Sequence, residues 1–174
     1  MSNPYASPGE ANSAAVDLSQ DVRGLQIVTG ALAGGATMIL AVMLVMNSFD
    51  MNGAPEILSW IGFGMGGMMF IQHMIVPRFI VSNQLRKLSA ELQTMSVEEK
   101  SASVMGALRS GHIIGCAMLE GAAVLNCVAY MTTSFFGNVI FAGVLIAIIA
   151  LKIPTNFGMQ NRVSDRLQTL EMGA

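Results

Sequence analysis

The sequence predicts an all-α polytopic membrane protein with four transmembrane helices. Hydrophobic residues make up 53% of the 174-residue chain and charged residues only 11%, a balance that departs from the average of soluble domains in the direction of a membrane protein. In addition, four apolar segments reach about 20 residues, the length that a helix needs to cross a bilayer. They are residues 24–46, 57–81, 110–131 and 135–153, within one membrane domain that covers residues 23–153.

The distribution of basic residues predicts the orientation of the spans. All nine lie at or beyond one side of the predicted bundle, whereas the loops 47–56 and 132–134 contain none. The positive-inside rule therefore places both termini in the cytoplasm. Residues 1–22 have no basic region followed by an apolar core, so we expect a flexible cytoplasmic tail there and not a signal peptide. The expected location is integral to a membrane, which would be the inner membrane in a bacterium.

Residues 82–108, between spans two and three, are predicted to form a helical cytoplasmic projection. Apolar side chains recur there at helical spacing, at Leu85, Leu88, Leu92 and Met95. Span two is expected to continue as a helix to about Thr94. Ser96 followed by Glu99 has the pattern of a capping box, so a second helix should begin near Val97 and run unbroken into span three.

Residues 154–174 are predicted to form a cytoplasmic amphipathic helix. Four apolar residues would share one of its faces: Met159, Val163, Leu167 and Leu170. The sequence leaves open whether this helix lies on the membrane surface or packs on the cytoplasmic projection.

A weak internal repeat relates the two halves of the membrane domain. Without gaps, Arg23–Val45 aligns with Arg109–Met131 at six identical positions of 23, and Gly34 falls on Glu120. Pro77 and Pro154 mark the inner ends of spans two and four. The predicted architecture is two helical hairpins in parallel repeat, related by an axis along the membrane normal.

Glu120 is the candidate functional residue, because it is the only charged residue in the third span. A carboxylate at the centre of a membrane helix costs about 3 kcal/mol unless it faces protein or water. One stripe of the helix carries Arg109, His112, Cys116, Glu120 and Cys127. Glycines that allow close helix packing lie nearby, at Gly34, Gly35, Gly66, Gly67 and Gly121. We interpret Glu120 as a proton-binding group, with His112 as a possible relay from the cytoplasm.

Two other interpretations stay open. Glu120 can instead hydrogen-bond Gln72, His73 or Asn126 as an interhelical clasp worth about 1 kcal/mol, in a non-catalytic membrane scaffold or assembly protein. A Met-rich copper permease is the third interpretation, because Met65, Met69 and His73 share one helix face and thioethers suit Cu(I). Methionine also fills apolar interfaces, and the sequence predicts no metal site and no cofactor.

The third span resembles a known family. Gly115-Cys-Ala-Met-Leu-Glu120-Gly121 is similar to the G-x-A-x-x-E-A pattern in the carboxylate helix of the ATP synthase subunit c (proteolipid) family, and the glycines at 62–67 resemble its alternate-glycine helix. The resemblance covers residues 57–131 and implies a ring of hairpins in which Glu120 binds and releases H⁺ or Na⁺. No Ser or Thr follows Glu120, which favours H⁺. The segment between the two helices is longer than in that family and lacks its R-Q-P signature. Four-helix members of the family also usually have their termini on the opposite side of the membrane from the one predicted here.

The sequence also excludes several classes of protein. It contains no nucleophile–base pair, H-E-x-x-H, phosphate loop or CxxC, so the chain is not predicted to be an enzyme. The net charge of −2 and the lack of a basic stripe interleaved with aromatics argue against binding to nucleic acid. Cys116 and Cys127 lie about 16 Å apart on one helix, too far for a disulfide. The expected partners are the lipid bilayer and either further copies of the chain or a larger membrane complex.

Overall fold

The computed structural model describes residues 18–89 and 94–172. Within them the chain is all-α, as predicted, and its elements are α1 (Ser19–Met46), α2 (Ile57–Ser89), α3 (Val97–Thr133), α4 (Phe136–Leu151) and α5 (Asn156–Met172). The helices predicted to begin near Val97 and after Pro154 are both present. The predictions for residues 1–17, and for Leu92 in the projection, lie outside the described residues.

Two helices, α1 and α3, are long and apolar enough to cross a membrane. The pair α4 and α5 adds a third candidate if the two count as one span bent by 73°. At 16 residues, or about 24 Å, α4 alone is shorter than the bilayer core. Glycines, Gln72 and His73 dilute the apolar character of α2. The structure therefore supports membrane association, while the four-span arrangement stays a prediction.

A capping box starts α3, as predicted. Ser96 has an extended backbone, and its side chain accepts a hydrogen bond from the Glu99 backbone N–H at 3.3 Å. In return the Ser96 backbone N–H donates to the Glu99 carboxylate at 2.8 Å. This N–H lowers the pKa of Glu99 below its usual range because it stabilises the ionised form. With 37 residues α3 is about 55 Å long, so its first turns lie beyond the predicted span.

The two prolines that look alike in the sequence behave differently in the structure. Pro77 lies inside α2, which is helical to Ser89, and Thr94 belongs to the turn before α3. Pro154 instead lies in the sharp bend between α4 and α5, where its carbonyl accepts a hydrogen bond from Gln26 of α1 at 2.8 Å. α3 packs closely against Pro77 through Gly111 and Gly115.

α3 is the central helix and packs against each of the others. Its neighbour α1 runs parallel to it, since Asp21, Thr29 and Gly35 lie next to successively later residues of α3. α2 runs antiparallel to α3, because Ser59 meets its end and Val81 meets Gly111. The second predicted hairpin is present, since α3 and α4 pack directly against each other. In the first, α1 packs mainly on α3 and α4 rather than on α2.

The core has two parts, which the length of α3 connects. The upper part joins small and apolar residues of α1, α3 and α4: Ala33, Ala36, Cys116, Leu119, Ala122, Ala123, Leu145 and Ile149. The lower part joins α1, α2, α3 and α5 through Leu18, Val22, Leu25, Val81, Leu85, Val104, Met105, Ala107, Met159 and Val163. The apolar face of α5 therefore packs against α1, α2 and α3 in this lower part of the core. That answers the question the sequence left open.

Candidate functional site

Glu120 lies half-buried on α3 at the interface with α1. Its Oε1 atom is 3.5 Å from the position that a Cβ would occupy on Gly35. Among the described residues, no group forms a hydrogen bond or an ion pair with this carboxyl. The glycine that leaves room for the carboxyl is thus Gly35. Gly34, the repeat-aligned residue, has no neighbour within 4 Å of its Cβ position.

The predicted polar stripe of α3 faces α1 along most of its length. Arg109 pairs with Asp21 at 3.6 Å, where both side chains are partly exposed. His112 contacts Thr29 at 3.0 Å between Nε2 and Oγ1. The partners are 83 to 88 residues apart, close to the 86-residue offset of the sequence repeat, so α1 and α3 lie side by side nearly in repeat register.

Hydrogen bonds fix the neutral tautomer of His73 but not that of His112. His112 Nε2 lies 3.0 Å from Thr29 Oγ1 and 3.6 Å from Cys116 Sγ, and it can donate to or accept from either group. His73 lies 2.9 Å from the Gly115 carbonyl through Nδ1. Because a carbonyl only accepts, His73 carries its proton on Nδ1.

The residues predicted as clasp partners of Glu120 are engaged elsewhere or do not reach it. His73 donates to Gly115, and the Asn126 amide donates to the carbonyls of Gly62 at 3.2 Å and Ala122 at 2.9 Å. Gln72 has no hydrogen bond with Glu120 among the described residues. His112 is eight residues from Glu120, about 12 Å along the helix, so a proton relay between them requires an intermediate group. The Cys116 thiol lies between them on the same stripe, 3.6 Å from His112 Nε2.

The glycines predicted to pack closely do so only in part. A Cβ on Gly66 would lie 2.6 Å from the Phe141 ring, whereas Gly67 has nothing within 4 Å. Gly121 reaches only the Met69 sulfur, at 4.0 Å. α2 and α3 also approach each other closely at Gly111 and Gly115, which face Pro77, Val81 and His73. The small-xxx-small spacing of Gly111 and Gly115 is the sequence signal for this contact.

The cysteines and the Met65–Met69–His73 face bear on the copper interpretation. Cys116 and Cys127 are buried and free, and the described residues contain no group of three His, Cys, Asp or Glu side chains that can hold a metal ion. Met65 is 40% exposed, whereas His73 is buried against α3.

Sequence reasoning did not find a buried polar cluster near the turn between α3 and α4. Ser59 of α2 lies 3.1 Å from Thr133 of α3, and the Asn138 amide of α4 donates to Ser59 at 2.9 Å. The side-chain oxygens (Oδ1) of Asn126 and Asn138 are buried and have no hydrogen-bond partner among the described residues. Ser59, Asn126 and Asn138 are single polar side chains in apolar segments, and Thr133 lies in the polar segment 132–134, so the sequence gives no sign that they meet.

A basic cleft on the other side of α3 was also missed. It lies between α2, α3 and α5 and has a volume of about 1150 Å³. His73 and His112 line it, so His112 contacts both the cleft and the α1 side. Its basic residues are far apart in sequence, and only the docking of α5 brings them together.

Comparison of the chain with family models, with curated proteins and with solved structures gave no significant match.

Proposed function

We propose that the chain is a small integral membrane subunit that handles protons through Glu120, within an oligomer. The observation that carries this proposal is that the Glu120 carboxyl is half-buried with no partner among the described residues. An ionised carboxylate without a partner is costly in hydrocarbon. Such a group is therefore protonated when it faces lipid and ionised when it faces water, which is what a proton carrier requires.

The proposal includes four spans, with α2 and α4 crossing the membrane beside α1 and α3. The support is an exposed apolar stripe on α2 that begins at Ile57 and ends at Phe79, a distance of about 33 Å. This length matches the bilayer core of about 30 Å. The stripe consists of large side chains at helical spacing, among them Trp60, Met68, Ile71 and Ile75, each at least 49% exposed. Such a surface is stable against lipid and not against water.

A route for protons to Glu120 follows the α1–α3 interface. With the proposed cytoplasmic orientation, the Arg109–Asp21 pair lies at the inner surface, and His112 with Thr29 lies one turn deeper. His112 also lines the basic cleft, which is open at the surface of the protein. Because an imidazole can both accept and donate a proton, His112 is a suitable last group before the 12 Å step to Glu120.

The alternative, a scaffold in which Glu120 is a clasp, needs a partner for the carboxyl. The described residues supply none, so the clasp would have to form with a second copy of the chain or with another subunit. In that case Glu120 is covered in the assembly and does not exchange protons with either side.

Reaction with a lipid-soluble carbodiimide distinguishes the two roles, because this reagent modifies protonated carboxyls in the apolar phase. We expect the intact membrane protein to be labelled at Glu120, more slowly as the pH is raised, and the Glu120→Gln chain to lose that label. The Glu56→Gln chain is the control, because Glu56 is exposed in the loop before α2. Absence of label at Glu120 in intact membranes would support the clasp.

A further inference from the structure

The basic cleft concentrates positive charge in a chain whose net charge is −2. One acidic side chain, Asp165, lines the cleft together with five basic residues: Arg78, Arg86, Lys152, Arg162 and Arg166. They come from α2, from the end of α4 and from α5, so three elements contribute to one concave surface. A concave surface lined mostly by one sign of charge attracts ligands of the opposite sign.

Four of these basic side chains have no internal counter-ion. Within the described residues, Arg78, Lys152, Arg162 and Arg166 form no ion pair, and the ion pair that is present, Arg109–Asp21, lies outside the cleft. Asp165, although it lines the same cleft, is not within ion-pair distance of its basic neighbours. Like charges held together in this way repel one another, and an anion bound among them removes the repulsion.

The cleft also has an apolar wall that leads to the lipid-facing surface. Pro77, Val81 and Leu85 of α2 form one side, and Leu108 and Leu170 form the other. Met74, which lines the upper part of the cleft, is 53% exposed and belongs to the apolar stripe of α2. A ligand that fits this surface has an anionic group at one end and an apolar chain that continues along α2.

We propose that the basic cleft binds the phosphate headgroup of an anionic phospholipid, with its acyl chains along the apolar stripe of α2. The proposal rests on the four-span arrangement, which puts the cleft at the cytoplasmic boundary of the bilayer. Basic pockets between membrane helices on that side bind anionic lipid headgroups. A free phosphate shares the headgroup chemistry, but it leaves the apolar wall of the cleft unused.

Lipid retention by the full chain tests this proposal. The chain is purified in an uncharged detergent, and its affinity for phosphatidylglycerol and for phosphatidylcholine is measured by native mass spectrometry. The double variant Arg162→Gln with Arg166→Gln removes two charges from the cleft. The matched control, Arg23→Gln with Lys87→Gln, removes two exposed charges outside it. Circular dichroism shows whether each variant is folded, and Arg78→Gln serves as a second cleft variant if the double variant is not.

We expect phosphatidylglycerol to bind in preference to phosphatidylcholine and to bind about 30-fold more weakly to the double cleft variant, from about a fivefold effect for each basic residue. The matched control should bind it as the unmodified chain does. Equal weakening in both variants, or in neither, would overturn the proposal. Displacement of the lipid by millimolar inorganic phosphate would also overturn it, because the site would then belong to a soluble anion. Glu120→Gln should not change lipid retention, so this result is independent of the proton-handling proposal.

Discussion

Gly35 on α1 faces the Glu120 carboxyl on α3, with 3.5 Å between Oε1 and the position of a Cβ on the glycine. A methyl group at that distance makes an ordinary van der Waals contact and requires no movement of either helix. Gly35 therefore controls how much of the carboxyl is open at the helix interface, and it can be changed without disturbing the packing.

Gly35→Ala should slow the carbodiimide labelling of Glu120 severalfold while the chain stays folded. The added methyl covers one side of the carboxyl and keeps the reagent away from it. Gly34→Ala is the matched control, because a Cβ there meets nothing within 4 Å. Equal labelling rates in the two variants, measured by mass spectrometry of the peptide that contains Glu120, would show that the carboxyl is approached from another side.

Gly111→Ala should destabilise the bundle by about 1–3 kcal/mol, the usual cost of overpacking. A Cβ on Gly111 would lie 2.6 Å from Val81 and 3.2 Å from the Pro77 carbonyl, so α2 and α3 would have to move apart. Thermal unfolding in detergent measures the effect. Gly106→Ala adds the same methyl to α3 in open space and should leave the unfolding temperature unchanged or raise it slightly. A similar loss in both variants would contradict the close contact at Gly111.

Acidification should loosen the first turn of α3. The folded pKa of Glu99 is lowered by the hydrogen bond from Ser96, so its contribution is fully present above the ordinary glutamate value of about 4.3. It is lost as the pH falls through the lowered pKa. Hydrogen exchange of the segment around Ser96, corrected for the intrinsic pH dependence, should speed up in that range. Glu99→Gln, which keeps an acceptor without a charge, should remove this pH dependence, and its persistence would exclude Glu99 as the cause.

Ser59→Ala should cost about 1 kcal/mol of stability, the order of magnitude for an interhelical hydrogen bond in a membrane. It leaves the Asn138 amide with its longer contact to Thr133, at 3.4 Å, and the Asn138 carbonyl is already unpartnered. Ser82→Ala, at an exposed position of the same helix, is the control. If both variants unfold at the temperature of the unmodified chain, the cluster does not hold α2 to α4.

Much of the fold could be predicted because its signals are local. The Ser96–Glu99 capping box placed the start of α3, and the spacing of Met159 and Val163 indicated the buried face of α5. The sequence repeat, whose two copies are 86 residues apart, also indicated that α1 and α3 run parallel. The predicted α1–α2 hairpin was less accurate, because α3 lies between these two helices. A sequence repeat does not indicate which helices are neighbours.

Only the part of the candidate site that lies on α3 was predicted from the sequence. The stripe from Arg109 to Glu120 follows from helical spacing, whereas its partners Asp21, Thr29 and Gly35 depend on how α1 rotates against α3. The basic cleft depends on the bend at Pro154, which turns α5 back toward α2. Pro154 marks in the sequence where α4 ends, but no local pattern encodes the rotation of α1 or the direction in which α5 turns.

Proton flux into vesicles tests the central claim most directly. The full chain is reconstituted into liposomes that contain a pH-sensitive dye, and a potassium diffusion potential drives proton entry. We predict a flux that Glu120→Gln abolishes, Glu120→Asp retains in part, and the exposed-loop control Glu56→Gln leaves unchanged. The same flux in the unmodified chain and in the Glu120→Gln chain would contradict the account.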